Sequence, residues 1–242
     1  MKKQIVFFCI CTFVCSLWAQ TAQEYLMLGN NSYKNSDYNS AKENYQNAID
    51  KGGASAQLFF NMANTCAKLN KKGEALLYYM KALVEEPRLR EAEANLKLFA
   101  KDNSIQLPDK SSVDMYILEL SEFEWIIVCV VAFWFTISFF LIPRMYVKKT
   151  SVYIFLGIIF AIVTATAVIG IVRCNNIANT AIALTDDVAL RLSPTPNAPV
   201  ESVVQEGTFA NILKNKGNYI YVQAPSGKRG WTNKKEFVPI CE

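Results

Sequence analysis

Tyr25–Ile49 reads YLMLGNNSYKNSDYNSAKENYQNAI, and Phe59–Pro87 reads FFNMANTCAKLNKKGEALLYYMKALVEEP. Sliding the first stretch along by 34 residues places Gly29, Ala41, Tyr45 and Ala48 on Ala63, Ala75, Tyr79 and Ala82. Leu28 falls on Met62, and Tyr25 on Phe59. Small side chains at these places let two helix backbones approach closely, and the tyrosines fill the gap toward the next helix. A helical unit of this kind cannot bury its apolar face alone, and about three units are normally needed. Leu89–Phe99, with Leu89, Ala92, Leu96 and Phe99 on one stripe, reads as the half-unit that closes the stack over residues 20–100. Two and a half units make a marginal array, so a partner is expected to complete its stability.

The period and its residue types resemble the tetratricopeptide repeat, over roughly Gln23–Arg88. The resemblance implies a concave face lined by the first helix of each pair, gripping an extended or helical peptide. Carried over position by position, the peptide-binding residues would be Leu26, Asn30, Tyr33 and Lys34, then Phe60, Asn64, Ala67 and Lys68. Asn30 and Asn64 have two readings: donors to a peptide backbone, or part of the repeat's own framework. Leu26 and Ala94 stand where a carboxylate clamp would want charge, so that specialised role is not expected. Cys66 is expected to be packed rather than reactive.

Working toward the amino terminus, Lys2 and Lys3 precede the apolar run Ile5–Leu17, with a small residue at Ala19. This is the three-part pattern of a secretory signal over residues 1–19, cleaved or retained as an anchor. Working the other way, residues 101–123 form a polar linker and juxtamembrane segment with Pro108. Residues 124–142 and 152–172 are apolar and long enough to span a membrane as helices. Ser121 and Glu124 have capping-box spacing at the start of the first. Residues 143–151 hold Pro143, Arg144, Lys148 and Lys149, a basic turn expected in the cytoplasm. Both large segments then face away from the cytoplasm.

After a short polar exit, Asn175–Thr180, short apolar runs are split by turn residues: Val188–Leu192, Val200–Val204, Phe209–Leu213, Tyr219–Gln223 and Gly230–Thr232. That spacing predicts a small β-barrel over residues 184–242. The Ser193-Pro194 loop, Glu206-Gly207 before a strand, the Ser226-Gly227 turn and Gly230-Trp231 resemble a bacterial SH3-like domain. The resemblance implies a module that binds cell-wall peptides or glycans, or packs against a neighbouring protein. Tyr219, Tyr221 and Trp231 are then candidates for a stacking surface, although such aromatics are more often barrel core or strand packing. Asp186 and Asp187 are adjacent, so on a strand their side chains diverge and make a poor acid–base pair.

The fold class is therefore multidomain: an all-α repeat segment, a two-helix transmembrane hairpin and a small all-β barrel. In 242 residues there is no histidine, which removes histidine general bases and histidine-containing metal sites. Seven cysteines include no C-x-x-C pair, so no metal-ligand or thioredoxin-like signature exists. No catalytic residue, metal site or cofactor is expected. The net charge of +4 is spread along the chain, and no nucleic-acid partner is expected. The order of segments resembles the BatE-type proteins of the aerotolerance (Bat) operon family. That resemblance implies a bacterial inner-membrane setting with both modules in the periplasm. It also implies membrane-anchored von Willebrand A-domain proteins and a MoxR-type ATPase as companions, and a part in stress tolerance. Three functions follow for testing: a non-enzymatic scaffold recruiting envelope proteins, a peptidoglycan-binding module acting through the barrel, and thiol chemistry at Cys66, Cys174 or Cys241.

Overall fold

The structure is a computed structural model that describes residues 21–108, 117, 119–146 and 151–240. The expected signal, residues 1–19, lies outside the described residues. The rest divides into two compact units, one made of the described chain up to Pro108 together with Thr180 onward, the other lying between them.

The first unit opens with helices α1 (residues 21–34), α2 (Tyr38–Asp50), α3 (Ala56–Lys68), α4 (Lys72–Glu85) and α5 (Arg90–Asp102). Local chemistry starts α2 and α3: the Asp37 carboxylate accepts from the Ser40 N–H at 3.1 Å, and Ser55 Oγ accepts from the Leu58 N–H at 3.2 Å. The first helix of each pair stops at a left-handed residue, at Ser36 (φ 62°), Asn70 (φ 56°) and Ser104 (φ 56°). These three lie one period apart, so α5 is the third copy of the first helix rather than a generic cap. It ends at Asp102, beyond the expected Phe99, and the Ile105 N–H bonds back to the Ala100 carbonyl at 2.8 Å. Ile105 and Leu107 then pack on the core, so this part of the expected linker belongs to the array.

Gly29 illustrates the small-residue requirement. A Cβ there would lie 2.5 Å from the Tyr45 ring, so Tyr45 seats itself on bare backbone and is buried.

The chain returns to this unit as a seven-stranded sheet in the order β3-β2-β6-β5-β4-β1-β7, every neighbour antiparallel. The strands are β1 (Thr180–Ala183), β2 (Val188–Arg191), β3 (Val200–Val204), β4 (Phe209–Lys216), β5 (Tyr219–Gln223), β6 (Arg229–Asn233) and β7 (Phe237–Pro239). The sheet thus starts at Thr180, not at residue 184. Of the expected polar exit, residues 175–178 belong to the preceding helix and Thr180 opens β1. Asp186 and Asp187 sit in the following turn, with Asp187 at φ 57°. Alternation sends Leu190, Ile220, Val222 and Phe237 to one buried face.

The other face of β1, β4 and β7 meets the helices. Ile182, Phe209 and Ile240 share one buried cluster with Leu58, Leu76, Leu77 and Tyr79. The apolar cover that the marginal array needs is therefore supplied within the chain, at least in part. Gly207 (φ 80°) makes the approach possible: a Cβ there would be 2.9 Å from Leu76 and 3.1 Å from Ile105. Gly73 does the same from the helical side, where a Cβ would run into the Ala183 carbonyl.

The second unit is an apolar hairpin of α6 (Glu122–Tyr146) and α7 (Ser151–Ala178). The capping box forms: the Ser121 N–H donates to Glu124 Oε2 at 2.9 Å, and the Glu124 N–H donates to Ser121 Oγ at 3.3 Å. Both helices outrun their expected ends at residues 142 and 172. Pro143 removes only its own N–H bond near the end of α6, so the helix continues through it. Asn175 and Asn176 prolong α7 because apolarity marks the part suited to hydrocarbon, not the helix end. Of the expected basic turn, Val147–Thr150 lies outside the described residues. Aromatic stacking joins the pair, with Phe135 and Phe160 at 4.9 Å, and Gly157 and Gly170 receive Phe140 and Trp125. Only 6% and 17% of their most apolar windows are buried in the unit, so these are not soluble core helices packed on all sides. Both are long and apolar enough to cross a membrane.

Candidate interaction groove

Two identical hydrogen-bonded clusters repeat along the array. In the first, Asn30 Oδ1 accepts from Tyr45 Oη at 2.8 Å and from Asn61 Nδ2 at 3.0 Å. In the second, Asn64 Oδ1 accepts from Tyr79 Oη at 2.6 Å and from Asn95 Nδ2 at 3.0 Å. Two donors converging on one oxygen fix each amide's orientation. Of the two readings open for Asn30 and Asn64, the framework one accounts for both carbonyl oxygens. Only their amide N–H groups remain as donors for anything outside.

Beside the second cluster lies an open groove of about 310 Å³ lined by Tyr33, Asn64, Ala67, Lys68, Tyr79, Asn95, Leu98, Phe99 and Asp102. Of the residues singled out from the sequence, Tyr33, Asn64, Ala67 and Lys68 come together here. Leu26, Asn30, Lys34 and Phe60 do not line it. Leu26 and Phe60 are partly buried against the core, and the Phe60 ring lies 6.3 Å from that of Tyr79. Lys34 is exposed. Tyr79, Asn95, Leu98, Phe99 and Asp102 were missed. The period itself pointed to two of them, because Tyr79 and Asn95 stand 34 residues beyond Tyr45 and Asn61. Leu98, Phe99 and Asp102 required α5 to be read as a working helix.

The groove is mixed in character: aromatic and aliphatic side chains, amide donors, and one charge of each sign at Lys68 and Asp102. Burial pushes the Tyr79 phenol up to about 12, and burial with the neighbouring Tyr38 raises that of Tyr33. Both stay neutral at physiological pH. An amphipathic peptide suits this lining better than a highly charged ligand.

Cys66 lies behind the groove, buried, with its Sγ 3.6 Å from Glu74 Oε2. Burial and then the Glu74 charge push its thiol up to about 12. Burial works to raise the Glu74 carboxyl, but the bond and charge of Lys42 and the charge of Lys71 outweigh it and hold it low. This is a packed thiol under an ion pair.

On the sheet, Tyr219, Tyr221 and Trp231 are brought onto the face opposite Ile220, Val222 and Thr232, and are half-buried. The Tyr221 and Trp231 rings lie 5.3 Å apart at 47°. They are therefore not packed into the buried layer. Glu206-Gly207, singled out as a strand-entry motif, instead docks the helices: Glu206 Oε1 accepts the Gly73 N–H at 2.7 Å.

Compared with known proteins, the chain matches no family model, and no curated protein matches it either.

Proposed function

We propose that this chain is a non-enzymatic, membrane-anchored scaffold that recruits envelope proteins through its helical array. The array is read as tetratricopeptide repeats, the sheet as an SH3-like module, and the whole as a BatE-type protein acting with von Willebrand A-domain partners at a bacterial inner membrane. The observation that carries the recruiting role is the groove between α3 and α5, where Asn64 keeps its amide donors beside Phe99 and the exposed Leu98. A peptide's backbone carbonyls need donors and its apolar side chains need such neighbours.

The docking of sheet and array supports the anchoring part. The two flank α6 and α7 in the chain yet share one buried cluster. Two crossings return a chain to the side it left, so a hairpin that spans the bilayer is compatible with that shared core and a single crossing is not. Arg144 in the last turn of α6, with Lys148 and Lys149 beyond it in the sequence, favours the cytoplasm for the turn and the periplasm for the joined modules.

The test is in-cell photocrosslinking from Lys68 or Leu98, with Asn39 on α2 as the control position. A discrete envelope-protein adduct from the groove positions and none from Asn39 is expected. Equal, diffuse labelling from all three would overturn the recruiting role.

A further inference from the structure

The outer face of the sheet is divided. Ile182, Phe209 and Val238 are taken up by the helical array, while the part over β2, β6, β5 and the end of β4 meets no helix among the described residues of this unit. There, strand register places four side chains in one line across four strands: Lys214 opposite Tyr221, Tyr221 opposite Trp231, and Trp231 opposite Arg191. The bulge between Ile212 and Lys214 is what brings Lys214 to this face. Arg191 is held at its end of the row, since its Nη1 donates to the Ala198 carbonyl at 2.8 Å. The next rows add Lys216 beside Tyr219, and Arg229 opposite Gln223. No acid stands in these rows. The nearest carboxylate by register is Glu201, in the β3 bulge beside Val200 and Arg191, and the others lie in turns (Asp186, Asp187 and Glu236) or bonded to α4 (Glu206).

We propose that this face binds anionic phospholipid headgroups. Four cations attract a negative surface, and tryptophan and tyrosine with one wet edge are the residues that settle at headgroup depth. Chain connectivity favours lipid over other anions, because only residues 173–179 separate the apolar run of α7, which ends at Val172, from β1, so the sheet begins a few residues past the part suited to hydrocarbon. The proposal rests on the reading that α6 and α7 cross a bilayer. Its consequence is that the membrane restrains the sheet, and through the dock the groove, rather than leaving them on a loose tether.

The full chain is reconstituted in bilayer discs of phosphatidylcholine alone or with phosphatidylglycerol, and lysine acylation is followed by mass spectrometry. In phosphatidylglycerol discs Lys214 and Lys216 should react about fivefold more slowly, the factor expected per basic residue near an anionic surface, with high salt reversing it. Lys51, exposed on the array, should be unchanged. Arg229→Glu, at an exposed position, should return Lys214 toward its rate in neutral discs. Equal rates in both lipids would overturn the proposal. So would protection by cell-wall fragments in neutral discs, which would assign the face to glycan. A chain that does not enter discs at all would remove the anchoring reading, and this one with it.

Discussion

Helices α2 and α4 are the same element copied once, and they differ where α4 has acquired a neighbour. They agree at Ala41/Ala75, Tyr45/Tyr79 and Ala48/Ala82, all buried. They part at Asn39/Gly73, Lys42/Leu76 and Glu43/Leu77, where polar residues of α2 become a buried glycine and two buried leucines of α4. Their starts differ too. Asp37 caps α2 from within, whereas Lys71 stands at that place before α4 and makes no cap bond. Glu206 of the sheet supplies the acceptor for α4 instead. Positions that repeat build the array, and positions that fail to repeat mark what one copy alone must do.

The harshest way to break this distinction is to give α4 the residue of α2. Leu76→Lys puts an unpaired ammonium into the shared cluster, and stranding a buried charge costs about 3–5 kcal/mol. Hydrogen exchange at the Gly73 N–H, which donates to Glu206 Oε1 across the dock at 2.7 Å, reads the dock directly. Protection there should collapse while amides of α1 and α2 keep theirs. If both regions lost protection together, sheet and array would be one inseparable folding unit.

A gentler version compares a glycine with its copy. Gly73→Val drives its side chain into the backbone at Ala183 and Leu184, an overpacking expected to cost about 1–3 kcal/mol at the same amide. Asn39→Val, at the exposed matching position, should stay within about 0.5 kcal/mol. Equal effects would mean that Gly73 is kept for helix geometry and not for the approach of β1.

Where the copies agree, their variants should agree as well. Tyr45→Phe and Tyr79→Phe each remove one hydroxyl from an asparagine oxygen that retains a second donor. Each should therefore cost about 1 kcal/mol. Burial pushes both phenols up to about 12. The folded chain thus holds these protons after the unfolded chain, near 10, has released them. Their contribution is complete below pH 10 and is lost as pH rises through about 12. A stability profile of each variant across that window should show a shallower alkaline fall than the parent. Only Tyr79→Phe should also alter crosslinking at the groove, because Tyr45 does not line it.

The same logic explains what the sequence could convey. The 34-residue period was visible because the small and aromatic positions that make it are local, and the apolar hairpin was visible from composition alone. Five strands were found near their observed places. β1 and β7 were not: Thr180–Ala183 is short and abuts α7, and Phe237–Pro239 is shorter still. The dock was hidden for a different reason. Gly73 and Glu206 are 133 residues apart, and nothing in either stretch names the other. Still, a glycine and two leucines replacing Asn39, Lys42 and Glu43 were a readable sign that α4 had something to meet. The groove is half legible, because reading α5 as a closing piece leaves Leu98, Phe99 and Asp102 outside it.

The smallest effect separates charge from geometry at that dock. Glu206→Gln keeps an oxygen for the Gly73 N–H but removes the negative charge from the start of α4, worth about 0.3–1 kcal/mol and sensitive to salt. Glu206→Ala removes the acceptor as well and should cost about 1 kcal/mol. The comparison with Asp37→Asn and Asp37→Ala on α2 sharpens this, since that cap is exposed and built within its own segment. Salt should narrow the Glu-to-Gln gap on α4 less than the Asp-to-Asn gap on α2, because Glu206 is half-buried. Identical salt responses would mean that Glu206 is as wet as Asp37. The dock would then be held by its apolar cluster, Leu76, Phe209 and Ile240 among it, with the carboxylate setting only its register.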